Sequence, residues 1–190
     1  MRKLILIKHA APQVTPGVPP SRWRLSERGR ELCAPLAEKV AEHAPTVIIS
    51  SEEIKASETA QRVGEALDVP FETAPGLHEH DRDGVPHLRS AEFISLMELA
   101  FRKPDDLVLG RETASQAEQR FAVAVETALA KHPQGNVAIV SHGTVIALFV
   151  AKRSGQKPFE LWRKLGLPSV VVMSLPDWSI TQMVAHVESP

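Results

Sequence analysis

Three short apolar runs constrain the fold of this chain more than any other feature. Residues 4–7, 46–49 and 136–140 are almost entirely apolar, and each run is followed by a segment with helical spacing. A continuous apolar run is typical of a strand that is covered on both faces. Strands that alternate with helices predict an α/β fold: a three-layer α/β/α sandwich with a mainly parallel sheet and helices on both faces.

The remaining segments extend this pattern without dividing the chain. Ser26 opens the first helix, and Pro35 within that helix predicts a kink or a break. Further helices are predicted at residues 53–67, 91–102, 113–131 and 144–152, and a closing antiparallel hairpin at 170–173 and 180–185. Because no repeat or low-complexity tract interrupts it, the chain is predicted to form one domain over residues 1–190.

Composition excludes several classes of function. The chain has 22 basic and 23 acidic side chains, so it lacks the basic excess of a nucleic-acid binder. A single cysteine, Cys33, cannot form a disulfide framework, and a reducing cytoplasm is the expected location. No segment reaches the ~20 apolar residues of a membrane span, and the apolar run at residues 4–7 is too short for an export signal. We therefore expect neither nucleic-acid nor membrane partners.

Polar residues follow the three apolar strands at the point where each strand ends. His9 and His142 each come directly after a strand and precede a small residue, Ala10 or Gly143, and Ser51 follows the second strand along the chain, at residues 46–49. One such histidine is more often a local hydrogen-bonding group than a ligand, but two equivalent ones indicate a site. Ligands of open α/β sheets bind at the carboxyl ends of the strands, and a small residue there lets backbone N–H groups approach an anion.

The order of these residues resembles a known family. Four motifs carry the resemblance: strand-Lys8-His9-Ala10, Leu25-Ser26-x-x-Gly29, Ser50-Ser51-x-x-x-Lys55-Ala56-x-Glu58-Thr59-Ala60 and strand-Ser141-His142-Gly143. Together they resemble the histidine phosphatase superfamily, the phosphoglycerate mutase-like proteins, over residues 3 to about 150. The resemblance implies the α/β/α fold of that family, with residues of about 70–112 forming a variable cap over the site.

The resemblance also implies a chemical role for each matching residue. His9 is expected to be the nucleophile that forms a phosphohistidine, and His142 a catalytic phosphate ligand. Glu79, within Leu77-His78-Glu79, is expected to donate a proton to the leaving oxygen, although a solvated loop carboxylate is the alternative. The remaining expected phosphate-binding residues are Lys8, Ser51, Lys55 and Gly143.

The match departs from the family at four positions. Lys8 and Lys55 stand where the family has its two pocket arginines, Glu52 replaces a proline and Glu58 a glutamine. Lysine is a point charge that cannot reproduce the bidentate guanidinium fork, and each lost fork costs about 1–3 kcal/mol. Glu52 would weaken phosphate binding further if it pointed inward. Arg22 or Arg24 could supply a replacement guanidinium, or they could simply be surface arginines.

Three functions follow from this pattern. Phosphomonoester hydrolysis through His9 is favoured, because a cation is kept at both arginine positions. A phospholigand-binding pseudoenzyme with little or no activity is the alternative, and mutase-type phosphoryl transfer is the least favoured. The substrate class is a phosphorylated small molecule or a phosphoprotein, with no cofactor and no metal required. The oligomeric state is open, and the hairpin at residues 169–187 could pair two copies edge to edge.

Two other patterns admit both a functional and a structural interpretation. His78, His80, Asp81, Asp83 and His87 suit a metal by residue type, but Arg82 among them opposes a cation, so a solvated loop is favoured. The segment Gly110-Arg111-Glu112-Thr113, with Arg120 on the next helix, predicts a helix start with Thr113 as its cap rather than a functional site.

Overall fold

The chain forms one six-stranded sheet with helices on both sides. The computed structural model describes residues 1–86 and 88–188. The strands are β1 (Lys3–Lys8), β2 (Pro45–Ser50), β3 (Phe71–Thr73), β4 (Asn136–Ser141), β5 (Ser169–Ser174) and β6 (Ile180–Val184), in the spatial order β3-β2-β4-β1-β5-β6. Strands β3, β2, β4 and β1 are parallel, whereas β5 and β6 form the antiparallel hairpin. The predicted α/β fold with a mainly parallel sheet is confirmed.

The helices cover the sheet on both faces because successive strand residues are apolar and point to opposite faces. The helices are α1 (Glu27–Glu31), α2 (Cys33–Ala41), α3 (Ile54–Leu67), α4 (Ser90–Arg102), α5 (Ala114–Lys131), α6 (Gly143–Ser154) and α7 (Pro158–Lys164). On β1, Leu4 and Leu6 belong to the core beneath α5 and α6, whereas Ile5 and Ile7 belong to the core beneath α2 and α3. All four side chains are fully buried. This two-sided burial explains the continuous apolar run of the sequence.

The predicted helix break at Pro35 is present, displaced towards the start of the segment. Ser26 caps α1 by accepting the backbone N–H of Gly29 at 3.0 Å. Helix α1 ends at Glu31, and α2 begins at Cys33 after one intervening residue. Proline is tolerated only in the first turn of a helix, since its ring clashes with the carbonyl four residues earlier. The chain therefore starts a new helix just before Pro35.

The proline-rich loop after β1 is fastened to the fold at defined points. The backbone N–H of Leu25 donates to Glu58 Oε2 at 2.8 Å, so Glu58 holds this loop. A Cβ on Gly29 would lie 2.1 Å from the carbonyl oxygen of Ala11, so only glycine allows the loop and α1 to approach this closely. These contacts hold the loop beside the carboxyl end of β1.

Two elements were not predicted from the sequence. Strand β3 has three residues with mostly exposed side chains, and α7 buries only Leu161 among its seven residues, so neither presents a recognisable hydrophobic pattern. Helix α7 packs against α4 through aromatic pairs, including Phe93 with Trp162 at 6.0 Å. Strand β3 lies within the segment 70–112, whose role as a cap stays a prediction. Within residues 1–86 and 88–188, no helix is both long and apolar enough to cross a membrane.

Candidate active site

The site is built at the carboxyl ends of three neighbouring parallel strands. Strand β4 lies between β1 and β2, with Lys8 of β1 opposite Ser141 of β4. The backbone N–H of His9 donates to the carbonyl of Ser141 at 3.0 Å, and that of Ser51 to the carbonyl of Val140 at 2.9 Å. The pairing therefore aligns the residues that follow each strand. The rings of His9 and His142 lie edge to face with centroids 5.1 Å apart.

The His9 imidazole is neutral and presents one nitrogen as a lone pair. Its Nδ1 lies 2.8 Å from the carbonyl oxygen of Ala10. Because a carbonyl can only accept, Nδ1 must carry the hydrogen, and in the neutral ring Nε2 then carries the lone pair. Burial, together with the nearby His142 and Lys55, holds the pKa of His9 well below its usual range. The ring is therefore a neutral base or nucleophile at physiological pH.

His142 is fully buried between the same strand ends. Its Nε2 lies 2.9 Å from Ser51 Oγ and 3.5 Å from Glu53 Oε1. Ser51 Oγ already accepts the backbone N–H of Glu53, so its hydroxyl hydrogen can donate to Nε2 and leave the ring hydrogen on Nδ1. Nδ1 is buried and has no partner among the described residues. Burial lowers the pKa of His142 to about 3, although Glu79 opposes the shift.

Two lysines and one glycine line the other side of the site. Lys8 Nζ donates to the carbonyl of Leu165 at 2.7 Å, and it lies so close to α6 that a Cβ on Gly143 would be 3.2 Å away. Burial lowers the pKa of Lys8, and Glu79 partly offsets this effect. Lys55 is buried, and its Nζ donates to the carbonyl of Pro20 at 2.8 Å. All the expected phosphate-binding residues thus lie around the ends of β1, β2 and β4.

Glu79 reaches this site from the loop between β3 and α4. Its Oε1 accepts the backbone N–H of His80 at 2.8 Å, and its Oε2 accepts that of Thr144 at 3.2 Å. Burial raises the pKa of Glu79, but Arg82, His142 and these two hydrogen bonds outweigh burial and lower the pKa to about 2. The carboxylate is therefore ionised and lies at the N-terminus of α6, where negative charge is favoured.

An ion pair outside the site positions the Glu79 loop. Arg120 on α5 donates to the carbonyls of Gly76, His78 and Glu79 at 2.8 to 3.2 Å. Glu112 pairs with Arg120 at 2.6 Å and accepts the backbone N–H of Asp81 at 2.9 Å. The segment around Glu112, which the sequence suggested only as a helix start, thus holds the loop that carries Glu79.

The helix-start prediction at Thr113 is confirmed. Thr113 accepts the N–H of Gln116 at 3.1 Å, and the Gln116 side chain accepts the N–H of Thr113 in return. This reciprocal pair is a capping box.

Sequence reasoning missed two charged residues of the site. Glu52 is exposed, and the inward glutamate is its neighbour Glu53, whose side chain is 12% exposed. Glu53 accepts hydrogen bonds from Lys55 Nζ and from the backbone N–H of Glu79, the latter at 2.9 Å. Arg82 Nη2 lies 3.7 Å from Glu79 Oε2. No motif marked either residue, because Glu53 is one of two adjacent glutamates and Arg82 lies in a loop without periodicity.

The structure places the two arginines considered as replacements elsewhere. Arg24 is exposed and pairs with Glu58 at 2.5 Å. Arg22 is exposed on a short 3-10 helix, Pro20–Arg22. Both line a cavity of about 510 Å³ whose lining includes none of the expected site residues. We therefore do not assign either arginine to the phosphate pocket.

Two of the residues that suit a metal by type, His80 and Asp83, instead contact other protein groups. His80 Nε2 contacts the carbonyl of Glu112 at 2.8 Å, and Asp83 pairs with Arg111 at 2.8 Å. Over residues 1–86 and 88–188, no three His, Cys, Asp or Glu side chains are grouped so that they could hold a metal ion. His87 lies outside the described residues.

Comparison with known protein families identifies the family of the chain. A model of the histidine phosphatase superfamily, branch 1, matches residues 4–182 of the chain. The chain belongs to this superfamily. A comparison with curated proteins finds no match.

Solved structures with this fold include several phosphatases. A structure called mycobacterial hydrolase 2 has a TM-score of 0.78 and 21% identity, over 100% of this chain and 93% of that one. Mycobacterial glucosyl-3-phosphoglycerate phosphatase in complex with inorganic phosphate has a TM-score of 0.74 and 23% identity, over 92% and 90%. Phosphoserine phosphatase from Entamoeba histolytica, in complex with 3-phosphoglyceric acid, has a TM-score of 0.74 and 17% identity, over 96% of both chains. These structures share 17% to 23% identity with this chain and show the fold alone. Membership of the histidine phosphatase superfamily supports a phosphatase as the general activity.

Removing the negative charge of Glu53 is expected to strengthen phosphate binding. In the Glu53→Gln variant, Lys55 loses its internal counterion, while the amide oxygen can still accept the N–H of Glu79. Two like charges about 4 Å apart repel by between ~1 kcal/mol in water and ~4 kcal/mol near a protein surface, so we expect inorganic phosphate to bind at least about 10-fold more tightly. Isothermal titration calorimetry measures this affinity directly.

The matched control is Glu52→Gln, which removes the same charge from the exposed neighbouring side chain. This variant is expected to bind phosphate like the wild type. Equal or weaker phosphate binding by Glu53→Gln would show that Glu53 does not compete with the ligand.

Proposed function

We propose that this protein hydrolyses phosphomonoesters through a phosphohistidine intermediate on His9. The observation that carries the proposal is the contact between His9 Nδ1 and the carbonyl of Ala10 at 2.8 Å. This contact places the ring hydrogen on Nδ1, and burial lowers the pKa of His9, so the neutral ring has its Nε2 lone pair available at the carboxyl end of a central strand, near the buried Lys55. A neutral imidazole in this setting is suited to attack phosphorus.

In the first step, the His9 Nε2 lone pair forms a bond to phosphorus while the bond from phosphorus to the ester oxygen breaks. The non-bridging oxygens are bound by Lys8, Lys55, the Nδ1–H of His142 and the backbone N–H of Gly143. Ser51 contributes by holding His142, because its hydroxyl donates to Nε2 and its backbone N–H donates to Val140. Lys8 and Lys55 exchange their contacts with Leu165, Pro20 and Glu53 for contacts with the phosphoryl oxygens. Once bound, these donors stabilise the charge that develops in the transition state. Glu79 gives its proton to the leaving oxygen, which departs as an alcohol.

In the second step, water releases the phosphoryl group. Glu79, now ionised, accepts a proton from water as the water oxygen bonds to phosphorus. The bond between Nε2 and phosphorus breaks, its electron pair returns to His9, and inorganic phosphate leaves. Neither of the two reaction steps needs a metal or an organic cofactor, because the cationic and imidazole groups bind the phosphoryl oxygens.

The low pKa of Glu79 requires a source for the first proton. With a pKa of about 2, Glu79 is ionised in the empty site at neutral pH. A phosphomonoester has a second pKa near ~6, so its monoanion carries a proton on the acidic side of neutrality. We propose that this monoanion is the form that binds and that its proton passes to Glu79. The charge of the bound phosphate then helps to keep Glu79 protonated.

A second candidate function is phospholigand binding without turnover. The Glu53 carboxylate favours it, because that group contacts Lys55 and approaches His142 where a phosphate would bind. A pocket that holds its own carboxylate binds phosphate more weakly. Phosphate binding without hydrolysis would support this second function.

The substrate class is a phosphorylated small molecule or a phosphoprotein. Two of the structural neighbours named above are a glucosyl-3-phosphoglycerate phosphatase and a phosphoserine phosphatase, but their low identity to this chain carries only the fold. We propose the substrate class from the family and from the lysine and imidazole groups around His9.

Replacing His9 is expected to abolish turnover. The wild type should release phosphate from one or more members of a phosphomonoester panel assayed between pH 4.5 and 8. His9→Ala should release none, because it lacks the nucleophile, while keeping the fold. His186→Ala, at an exposed histidine of the C-terminal segment, is the matched control and should retain activity.

Turnover that persists in His9→Ala would exclude His9 as the nucleophile. If the folded wild type binds phosphate but hydrolyses no panel member, the binding function replaces the proposed one.

The loss of activity on replacing Glu79 is expected to depend on the leaving group of the substrate. Glu79→Gln should lower kcat/KM for an alkyl phosphate such as glycerol 2-phosphate by roughly 10²–10⁴-fold, the usual range for general acid catalysis. The loss should be smaller for p-nitrophenyl phosphate in the first step, because nitrophenolate leaves without being protonated. Steady-state assays of both substrates, with rapid-quench measurement of the first turnover, separate the two steps.

The same role predicts a pH dependence. For the wild type, kcat/KM on the alkyl phosphate should fall as the pH rises through about 6, where the protonated substrate is lost. The low pKa of His9 keeps the nucleophile unprotonated on the acidic side of neutrality. Equal losses on both substrates, or a rate that rises with pH above 6, would contradict the role of Glu79.

A further inference from the structure

Three cationic side chains surround the site, and they differ in how far the protein already satisfies them. Lys8 Nζ donates to the carbonyl of Leu165 at 2.7 Å. Lys55 Nζ donates to the carbonyl of Pro20 at 2.8 Å and to Glu53. The contacts of Arg82 within the described residues are longer: 3.3 Å from Nη1 to Thr144 Oγ1 and 3.7 Å from Nη2 to Glu79 Oε2. A guanidinium has five N–H donors, so Arg82 keeps most of its donating capacity for a ligand.

Arg82 lies at the same helix N-terminus as the phosphate-binding groups. Thr144, which it contacts, follows Gly143 at the start of α6, and the N–H of Thr144 donates to the Glu79 carboxylate. The positive charge of Arg82 contributes to the lowered pKa values of both Lys8 and His142. Its guanidinium is therefore electrostatically part of the site, on the side from which Glu79 approaches.

Helix α4 holds the guanidinium in place without enclosing it. The Arg82 Cζ lies 5.2 Å from the centre of the Phe93 ring, a distance typical of a cation–π contact. Its Nη1 also lies 3.7 Å from Met97 Sδ. The side chain remains 25% exposed, so a ligand in the site can still reach it.

We propose that Arg82 binds the phosphoryl group of the substrate and supplies the guanidinium fork that Lys8 and Lys55 lack. This inference rests on the proposed phosphatase function and adds a ligand-binding residue to it. A planar guanidinium binds two phosphoryl oxygens at once, which an ammonium group cannot do. Arg82 comes from the segment between β3 and α4, so this pocket completes its phosphate site from a loop rather than from a strand end. When phosphate enters, Arg82 exchanges its long contacts with Glu79 and Thr144 for shorter ones with the phosphoryl oxygens.

The test compares Arg82→Lys, which keeps the charge, with Arg82→Ala, which removes it. The probes are p-nitrophenyl phosphate for turnover and inorganic phosphate for binding by calorimetry, both with the full chain. We expect both variants to lower kcat/KM by about 10-fold to 100-fold and to weaken phosphate binding about 10-fold, since the fork is lost in each. Millimolar guanidinium should restore part of the activity of Arg82→Ala and leave the wild type unchanged.

The matched control is Arg111→Lys, at an exposed arginine that pairs with Asp83 on the outer side of the same loop. It should retain wild-type turnover and phosphate affinity. Circular dichroism establishes that each variant is folded, and Arg82→Lys provides the comparison if Arg82→Ala does not fold.

Wild-type phosphate affinity and turnover in Arg82→Lys would overturn the proposal, because a single charge near Glu79 would then be sufficient. Failure of the proposed function gives a different result: the wild type would not turn over any phosphomonoester. In that case the phosphate affinities of the wild type and Arg82→Lys still decide whether Arg82 binds the phosphoryl group.

Discussion

The parallel pairing of β1 and β2 with the central strand β4 is the constraint on which the rest of the site depends. It aligns the strand ends, so that His9, Ser51 and His142 become neighbours although they are far apart in the chain. The same pairing buries both imidazoles among apolar strands, which keeps them uncharged. The contact of His9 Nδ1 with the Ala10 carbonyl then fixes which nitrogen faces the site.

Around these neutral rings, the positive and negative side chains of the site are largely paired with one another. Glu53 pairs with Lys55, and Glu79 lies near Arg82 and the N-terminus of α6. A phosphate that enters must replace these internal partners, so its net binding energy is the difference between two favourable arrangements. This compensation predicts modest phosphate affinity.

The sequence was most informative where burial and chemistry fall on the same residues. The apolar runs predicted the parallel strands, and the histidines that follow them predicted the site, because strand ends are set by hydrophobic pattern. The sequence was least informative where the start of a helix or the path of a loop determines which side chain enters the site. Whether Glu52 or Glu53 points inward depends on how α3 begins, and the approach of Arg82 depends on the packing of α4. Neither can be derived from residue spacing alone.

The central claim is that phosphate passes through a covalent bond to His9. The most direct measurement is rapid quenching of the wild type during turnover of p-nitrophenyl phosphate, followed by mass spectrometry of the intact protein and its peptides under alkaline conditions. The account predicts one acid-labile phosphoryl group located on His9, which disappears when the protein is quenched after substrate is exhausted. Release of phosphate with no phosphoenzyme at any time, or a phosphoryl group on another residue, would contradict it.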